Sequence, residues 1–241
     1  NASPIYIKKN SGSVVGGFSL QRFWPVPLIA VVAIIDVETL LDASIAMPDW
    51  WPLLQPSWTV PVGFAILFSL FPIIAGLGYS DLTLTNLPEK KAWRTSTNLF
   101  IYSITLLVLA ILASKYSYLQ IVAALFAPLA HEWIITTSIK KEKEGVAAFS
   151  YPNGVMVLAV YPNSPAAKMG LEAGDVILKI NDEEITGHRQ LLSMLSPWLI
   201  DPVFTVRNVV KREAERKIAY KGKIPPIGLV PVPEPDQGVY M

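Results

Sequence analysis

GVMVLAVYPNSPAAKMGLEAGDVILKIND, residues 154–182, is the stretch that decides the fold of the second half of this chain. Its opening run, VMVLAV, contains two alternating sets of apolar side chains, Val155 and Val157 in one and Met156 and Leu158 in the other. A period of two predicts a strand, and two apolar sets predict that the two faces of this strand meet different surroundings.

Turn-forming residues follow this strand in the segment YPNSP. Ser164 is a typical N-cap and Pro165 suits the first helical position, so the sequence predicts a short helix there. Gly170 or Gly174 would end the helix. Residues 175–182, DVILKIND, alternate again and predict a second strand that closes in a tight turn.

The ordered short motifs resemble a PDZ domain of the bacterial kind. They are SPAA at 164–167, GL at 170–171, GDVI at 174–177 and Asn181. The resemblance covers residues 146–223 and implies a small α+β domain. The family usually has glycine after the asparagine, where this chain has Asp182. The alternative is a small α+β domain of another kind, without a peptide groove.

Composition indicates a membrane protein. Hydrophobic residues make up 52% of the 241 residues and charged residues 16%, with a mean hydropathy of +0.41. A soluble protein is ordinarily less apolar. The net charge of +1 gives no reason to expect a nucleic-acid partner. Since the chain has no cysteine, disulfides, thiolate metal ligands and a cysteine nucleophile are excluded.

Apolar stretches within residues 23–138 predict four transmembrane helices, at 23–46, 60–79, 96–113 and 119–137. A span needs ~20 residues to cross ~30 Å of hydrocarbon. The predicted fold is therefore an α-helical membrane bundle of about four transmembrane helices, followed by the small α+β PDZ-like domain. Residues 1–22 are predicted to be a cytoplasmic segment with further sequence before it, because the chain opens without methionine, and residues 224–241 a proline-rich tail.

Basic residues predict the orientation, because lysine and arginine are retained on the cytoplasmic side of short loops. Three groups fall on one side of a four-span arrangement: Lys8, Lys9 and Arg22; Lys90, Lys91 and Arg94; Lys140, Lys141 and Lys143. The chain is therefore predicted to be a multi-pass protein of the cell membrane with its PDZ-like domain in the cytoplasm.

Ionisable residues inside the predicted spans have two interpretations each. Asp36 and Glu38 are either a buried polar or transport site, or residues at the outer interface of a tilted span. His131 and Glu132 resemble the start of the HExxH motif of intramembrane site-2 zinc proteases, but Ile135 replaces the second histidine. We therefore predict no metal site and no catalytic residues, and expect His131 and Glu132 to hydrogen-bond to neighbouring helices.

The PDZ resemblance implies that the C-terminus of a partner protein adds as a strand to a sheet edge, beside a helix. By this resemblance, residues 146–149 are the predicted edge and the helix beginning at His188 is the wall, although no clear glycine-rich carboxylate loop precedes the strand at 155. The predicted peptide-binding residues are Val146, Ala147, Ala148, Phe149, His188, Arg189 and Leu192.

The whole layout, with the terminal stretch IGLVPVPEP, is similar to the MinJ-type proteins of Gram-positive bacteria. This resemblance implies a membrane scaffold that contacts MinD- and DivIVA-like proteins through a cytoplasmic PDZ domain. The leading prediction is a non-enzymatic adaptor that lies in the lipid bilayer and needs no cofactor. It would recruit protein partners that help to place the cell-division site. The alternatives are a relative of intramembrane metalloproteases and a transporter.

Overall fold

A computed structural model describes residues 2–9, 12–37, 47–54, 59–196 and 198–234. The chain forms two compact units, each built from separate segments. The first comprises Asn1–Gln21, Ser80–Trp93 and Ser138–Met241, and the second comprises Arg22–Tyr79 and Arg94–Thr137. The PDZ-like domain thus belongs to a unit that also contains the start of the chain.

The first elements in chain order are three strands and two long helices. They are β1 (Ala2–Lys8), β2 (Val14–Val37), β3 (Phe64–Thr83), α1 (Pro88–Lys115) and α2 (Tyr118–Glu144). The strands form a sheet in the order β1-β2-β3, and β1 pairs antiparallel with β2.

The predicted bundle of four transmembrane helices is wrong. Two of the four predicted spans, at 96–113 and 119–137, lie in α1 and α2. In the other two, residues 23–37 lie in β2 and residues 64–79 lie in β3, while residues 38–46 fall outside the described residues. Where the structure is described, two helices are long and apolar enough to cross a membrane, judged by length and composition.

Proline placement and β-branched residues explain why β2 is not helical. Pro25 and Pro27 stand two positions apart, and each would remove a backbone donor and clash with the preceding helical turn. Valine and isoleucine dominate the residues that follow, and β-branched side chains favour strands. By contrast, α1 has its proline at its first residue, Pro88, where it is tolerated, and α2 contains only Pro128. Hydropathy shows how long an apolar stretch is, but it does not distinguish a helix from a strand.

Aromatic contacts join α1 to α2 within the second unit. The rings of Tyr102 and Phe126 stack with centroids 5.9 Å apart. The Tyr102 hydroxyl donates to the Ala127 carbonyl at 2.9 Å. Few side chains of either helix are buried in the structure. The pair is therefore a helical hairpin with an exposed apolar surface.

The PDZ-like domain contains the remaining elements. They are β4 (Val155–Val160), α3 (Pro165–Met169), β5 (Asp175–Ile180), β6 (Glu183–Glu184), α4 (His188–Met194), β7 (Val203–Asn208), β8 (Glu215–Ala219) and β9 (Leu229–Pro231). The sheet has the order β8-β7-β5-β4-β9, with β6 paired to β5. The predicted succession of strand, short helix and strand is confirmed.

Local signals act as the sequence predicts. The Ser164 hydroxyl accepts from the Ala167 N–H at 3.2 Å and caps α3, and Pro165 is its first residue. Gly170 ends α3 with φ of 80°, a left-handed conformation that glycine adopts without strain. Asp182 has φ of 67° in the tight turn, and so adopts the left-handed conformation for which the family uses glycine.

The strand β4 is buried on both faces, as its alternation predicts. Val155 and Val157 belong to one core cluster, shared with α3 and α4. Met156 and Leu158 belong to a second cluster, which includes Phe18 of β2. The PDZ-like sheet therefore has helices on one face and the N-terminal segment on the other.

Two glycines allow β2 to pack closely against its neighbours, Gly16 at this second face and Gly17 at the end of β3. A Cβ added at Gly16 would lie 2.9 Å from Cδ1 of Leu158, and one added at Gly17 would lie 2.8 Å from the Thr83 carbonyl oxygen. The Gly16 N–H also donates to the Phe149 carbonyl at 2.9 Å. Close backbone approach is thus possible because these positions have no side chain.

A buried charge cluster joins the start of α1 to the end of α2. Oε2 of Glu142 accepts from the backbone N–H groups of Leu84 and Thr85, both at 2.9 Å. Its Oε1 lies 3.1 Å from Nζ of Lys91, which also pairs with Asp81 at 3.4 Å. Lys91 and Glu142 are almost fully buried, so the loss of either charge would leave the other poorly compensated.

We expect Glu142→Gln to destabilise the chain by about 3 kcal/mol. Both carboxylate oxygens accept from donors, so the new NH₂ group must face either a backbone N–H or the Lys91 ammonium. Thermal unfolding of the full chain in detergent micelles measures the effect. The control is Glu144→Gln, because its partner Lys140 lies 4.0 Å away on the exposed surface and the pair contributes at most ~1 kcal/mol. Equal midpoints for the two variants would contradict a structural role for the cluster.

Candidate functional site

The strand β9 is an outer strand of its sheet and lies beside α4. Leu229 of β9 packs against the core cluster to which Leu191 of α4 belongs. Beyond the strand, Oε1 of Glu234 accepts the backbone N–H of His188, the first residue of α4, at 2.7 Å. We refer to the surface between strand and helix, which this contact bounds at one end, as the β9–α4 groove.

Hydrogen bonds show which backbone groups of β9 face β4. The Gly228 carbonyl accepts from the N–H that follows β4, at 2.9 Å, and the Val232 N–H donates into β4 at 2.8 Å. Backbone groups alternate in direction along a strand. Leu229 and Pro231 therefore direct their backbone groups to the outer edge, and Leu229 presents both an N–H and a carbonyl there.

The side chains of α4 divide between core and groove. Leu191 is buried, whereas Leu192 is 72% exposed. Arg189 is also exposed. Because Leu192 follows a core residue of the helix and lies open to solvent, it can contact an apolar side chain in the groove at little conformational cost.

His188 stands where the helix meets the end of β9. Nδ1 of His188 lies 3.9 Å from Oε1 of Glu234. The centroid of the His188 ring lies 6.4 Å from the centroid of the Tyr151 ring. Burial lowers the pKa of His188 below 6.5, while Glu234 and a hydrogen bond to the Val232 backbone act in the opposite direction. The imidazole is therefore neutral at pH 7 and suits a hydrogen-bonding rather than a charged role.

The predicted receiving edge at residues 146–149 pairs within the chain. The Ala148 N–H donates to the Leu84 carbonyl at 2.9 Å, and the Phe149 carbonyl accepts the Gly16 N–H. Phe149 is fully buried, Ala147 is half-buried and Val146 is 91% exposed. Peptide binding at this edge stays a prediction, and a ligand there would have to replace these bonds.

Three of the predicted intramembrane residues, Asp36, His131 and Glu132, belong to the second unit. Asp36 is in β2, where its Oδ1 accepts the neighbouring Val37 N–H at 2.8 Å, and Glu38 falls outside the described residues. His131 and Glu132 lie on α2, and the His131 ring is 6.0 Å from the Tyr102 ring, centroid to centroid. Their roles stay predictions. Among the described residues no three His, Cys, Asp or Glu side chains form a group that could hold a metal.

Sequence reasoning missed the strand beside α4. Its signal is Ile227-Gly228-Leu229, a glycine between two apolar residues, which lies in the segment predicted as a proline-rich tail. Glu234 was missed as well, since a carboxylate that caps a helix start 46 residues earlier leaves no local pattern. The site is thus formed by two segments of the domain that are far apart in the sequence.

Comparisons with known proteins identify the PDZ part of the chain. Residues 156–196 match the family model described as PDZ domain. The cell division topological determinant MinJ of Bacillus subtilis is 29% identical over 183 residues, which is 74% of this chain and 42% of MinJ. The serine endoprotease DegS of Haemophilus influenzae is 43% identical over 47 residues, 20% of this chain and 14% of DegS, and that similarity is confined to the PDZ part. The chain thus contains a PDZ domain and covers less than half the length of either relative.

We expect His188 to titrate below pH 6.5, because its burial opposes protonation. A depressed folded-state pKa stabilises the fold above pH 6.5, and this contribution is lost as the pH falls through the folded-state value. NMR titration of the imidazole protons measures the pKa, with His131→Gln to remove the signal of the second histidine. A control, Glu234→Gln, removes the favourable carboxylate and should lower the pKa further. A value at or above 6.5 would contradict the burial argument.

Proposed function

We propose that this chain, a PDZ-containing protein similar to MinJ, is a membrane-anchored adaptor that binds the C-termini of partner proteins in the β9–α4 groove. The observation that carries the proposal is the outer edge of β9, where Leu229 presents an N–H and a carbonyl, together with the exposed apolar side chain of Leu192 on α4. Strand addition uses such an edge for main-chain hydrogen bonds and the adjoining side chains for specificity.

The groove favours an apolar terminal residue. Leu229 and Ile227 pack partly buried at the margin of the core, and Leu192 lies open on the helix. A ligand side chain placed between them would bury apolar surface on both sides, at ~25 cal/mol per Å². A terminal carboxylate could accept from backbone N–H groups at the turn around Gly228, where the φ of Gly228 is 72°.

The helix α4 supplies the second wall. His188 borders the groove at the closed end as a neutral imidazole, and Arg189 extends from the exposed side of the first turn. We assign these two residues to contacts with ligand residues that precede the terminus. Residues 146–149 are the competing edge, and a matched pair of variants separates the two sites.

The cellular role that we propose is recruitment of proteins to the cell-division site. Similarity to a division topology determinant supports a protein-interaction adaptor in division and gives no support to an enzymatic role. By the same similarity, we propose MinD- and DivIVA-like proteins as the partners. The identity of these partners rests on the likeness to MinJ-type proteins and not on any residue of the groove.

We propose that α1 and α2 cross the cell membrane as a hairpin, with the PDZ domain in the cytoplasm. The ion pair of Lys91 with Glu142, at 3.1 Å, keeps the start of α1 beside the end of α2. Basic residues flank both of these ends, including Lys90 and Arg94 at α1 and Lys140 at α2. Lysine and arginine mark the cytoplasmic side of short loops, and the PDZ domain follows directly from α2.

Peptide binding tests the groove. Fluorescein-labelled heptapeptides that end in Val, Leu, Ile or Phe with a free carboxylate, and the C-terminal heptapeptides of MinD and DivIVA from the same cell, are titrated into the full chain in detergent micelles by fluorescence anisotropy. We expect Leu192→Glu to weaken binding at least 10-fold, because it places a charge in an apolar contact. Val146→Glu, the matched exposed control, should change the affinity less than 2-fold.

Two outcomes would contradict the site. If Val146→Glu weakened binding and Leu192→Glu did not, the ligand edge would be residues 146–149. If amidation of the peptide carboxylate left the affinity unchanged, the groove would not recognise a chain terminus.

The chain contains no cysteine, so single cysteines can report its topology. We expect cysteine at Ser117, between α1 and α2, to react with a membrane-impermeant maleimide in intact cells. Cysteine at the exposed Ser193 of α4 should react only after the cells are opened. Labelling of both positions in intact cells would place the PDZ domain outside and contradict the proposed orientation.

A further inference from the structure

A side chain from outside the PDZ domain reaches the outer edge of β9. The Tyr6 hydroxyl donates to the Pro231 carbonyl at 2.8 Å. Tyr6 lies in β1, where it pairs with Gly16 of β2, and the Gly16 N–H is itself bonded to the Phe149 carbonyl. The tyrosine is therefore held by the strand layer that covers the second face of the PDZ sheet.

This contact lies one step along the edge from Leu229. A ligand strand antiparallel to β9 pairs with every second residue, first Leu229 and then Pro231. At the second position the ligand would need an N–H donor and a free carbonyl on β9. Proline has no N–H, and the Pro231 carbonyl accepts from Tyr6. The ligand-accepting edge of β9 is thus one residue long.

We propose that Tyr6 and Pro231 limit the groove to the extreme C-terminus of a partner, so that recognition depends on the last two residues and not on the backbone of the third-last. This inference rests on the proposed peptide binding in the β9–α4 groove. It assigns the site to ligands with an apolar terminal residue and no requirement for main-chain pairing upstream of the last two residues. Pairing to Leu229 alone supplies the main-chain hydrogen bonds, and proline elsewhere on the edge discourages longer strand addition.

The contact also makes β1 part of the binding site. Tyr6 is 40% exposed and its hydroxyl is the group that covers the Pro231 carbonyl. Burial raises the pKa of Tyr6 above 10.0, so the phenol remains a protonated donor at neutral pH. Tyr6→Phe keeps the ring and removes only the hydrogen bond, which makes it the matched variant for a test.

The test uses the tightest of the four Val-, Leu-, Ile- or Phe-terminated heptapeptides and the full chain in detergent micelles. One peptide has N-methylalanine in place of alanine at the third-last position, and a second is N-methylated at the terminal residue. Methylation removes one backbone donor, and a hydrogen bond is worth ~5-fold in affinity. Fluorescence anisotropy gives the dissociation constants.

We expect N-methylation at the third-last residue to change the affinity of the wild-type chain for the peptide less than 2-fold. The same methylation should weaken binding to the Tyr6→Phe chain about 5-fold, because this variant frees the Pro231 carbonyl to accept from the ligand. Methylation at the terminal residue should weaken binding about 5-fold to both. If third-last methylation weakens wild-type binding about 5-fold, or leaves Tyr6→Phe unaffected, the inference is wrong while the proposed function stands. If none of the heptapeptides binds, the proposed function itself fails.

Should Tyr6→Phe not fold, Pro231→Val provides a second readout. Valine restores an N–H to the edge, and we expect it to tighten binding of the unmodified heptapeptide about 5-fold. Unchanged affinity in a folded Pro231→Val chain would overturn the role of proline in closing the edge.

Discussion

Burial of β4 on both faces is the constraint on which the rest of the first unit depends. A strand with apolar side chains on both sides needs a partner layer above and below. The helices α3 and α4 cover Val155 and Val157, and the segment around Phe18 covers Met156 and Leu158. Both backbone edges are paired too, with β5 and β9. Each surrounding element therefore has its position set by this one strand.

The strand β9 connects this architecture to recognition. Its inner edge completes the sheet beside β4, and its outer edge is the one to which we propose that a ligand adds. Glu234, three residues further, satisfies the first backbone donor of α4 and so fixes the distance between strand and helix at that end. The same short segment thus completes the core, borders the groove and caps its opposite wall.

The sequence specified local elements well and long-range partners poorly. Ser164, Pro165 and Gly170 each act through neighbours in the chain, so their roles in α3 could be read directly. Lys91 could be interpreted only as a basic residue near a membrane span, because its partner Glu142 lies 51 residues away. The strand conformation of β2 was signalled by Pro25 and Pro27, but its apolar length outweighed that signal.

The groove illustrates the same division. His188 and Leu192 followed from the position of α4, which the PDZ motifs fix within a short stretch. The strand opposite them could not be placed, because pairing of β9 with β4 joins residues about 70 positions apart and no local periodicity reports such a contact. Three-residue strands also carry too few alternating positions to be recognised by pattern.

The layer that covers the second face of the PDZ sheet comes from a segment that precedes both apolar helices, whereas the sheet itself is synthesised after them. Between them lie both apolar helices, so the ribosome releases Phe18 and Gly16 long before their partners Leu158 and Phe149 exist. A long loop must then close before these contacts form. Completion of the PDZ domain thereby depends on closure of this loop, since a chain in which the loop is open would leave Leu158 and Met156 uncovered and accessible to proteolytic quality control.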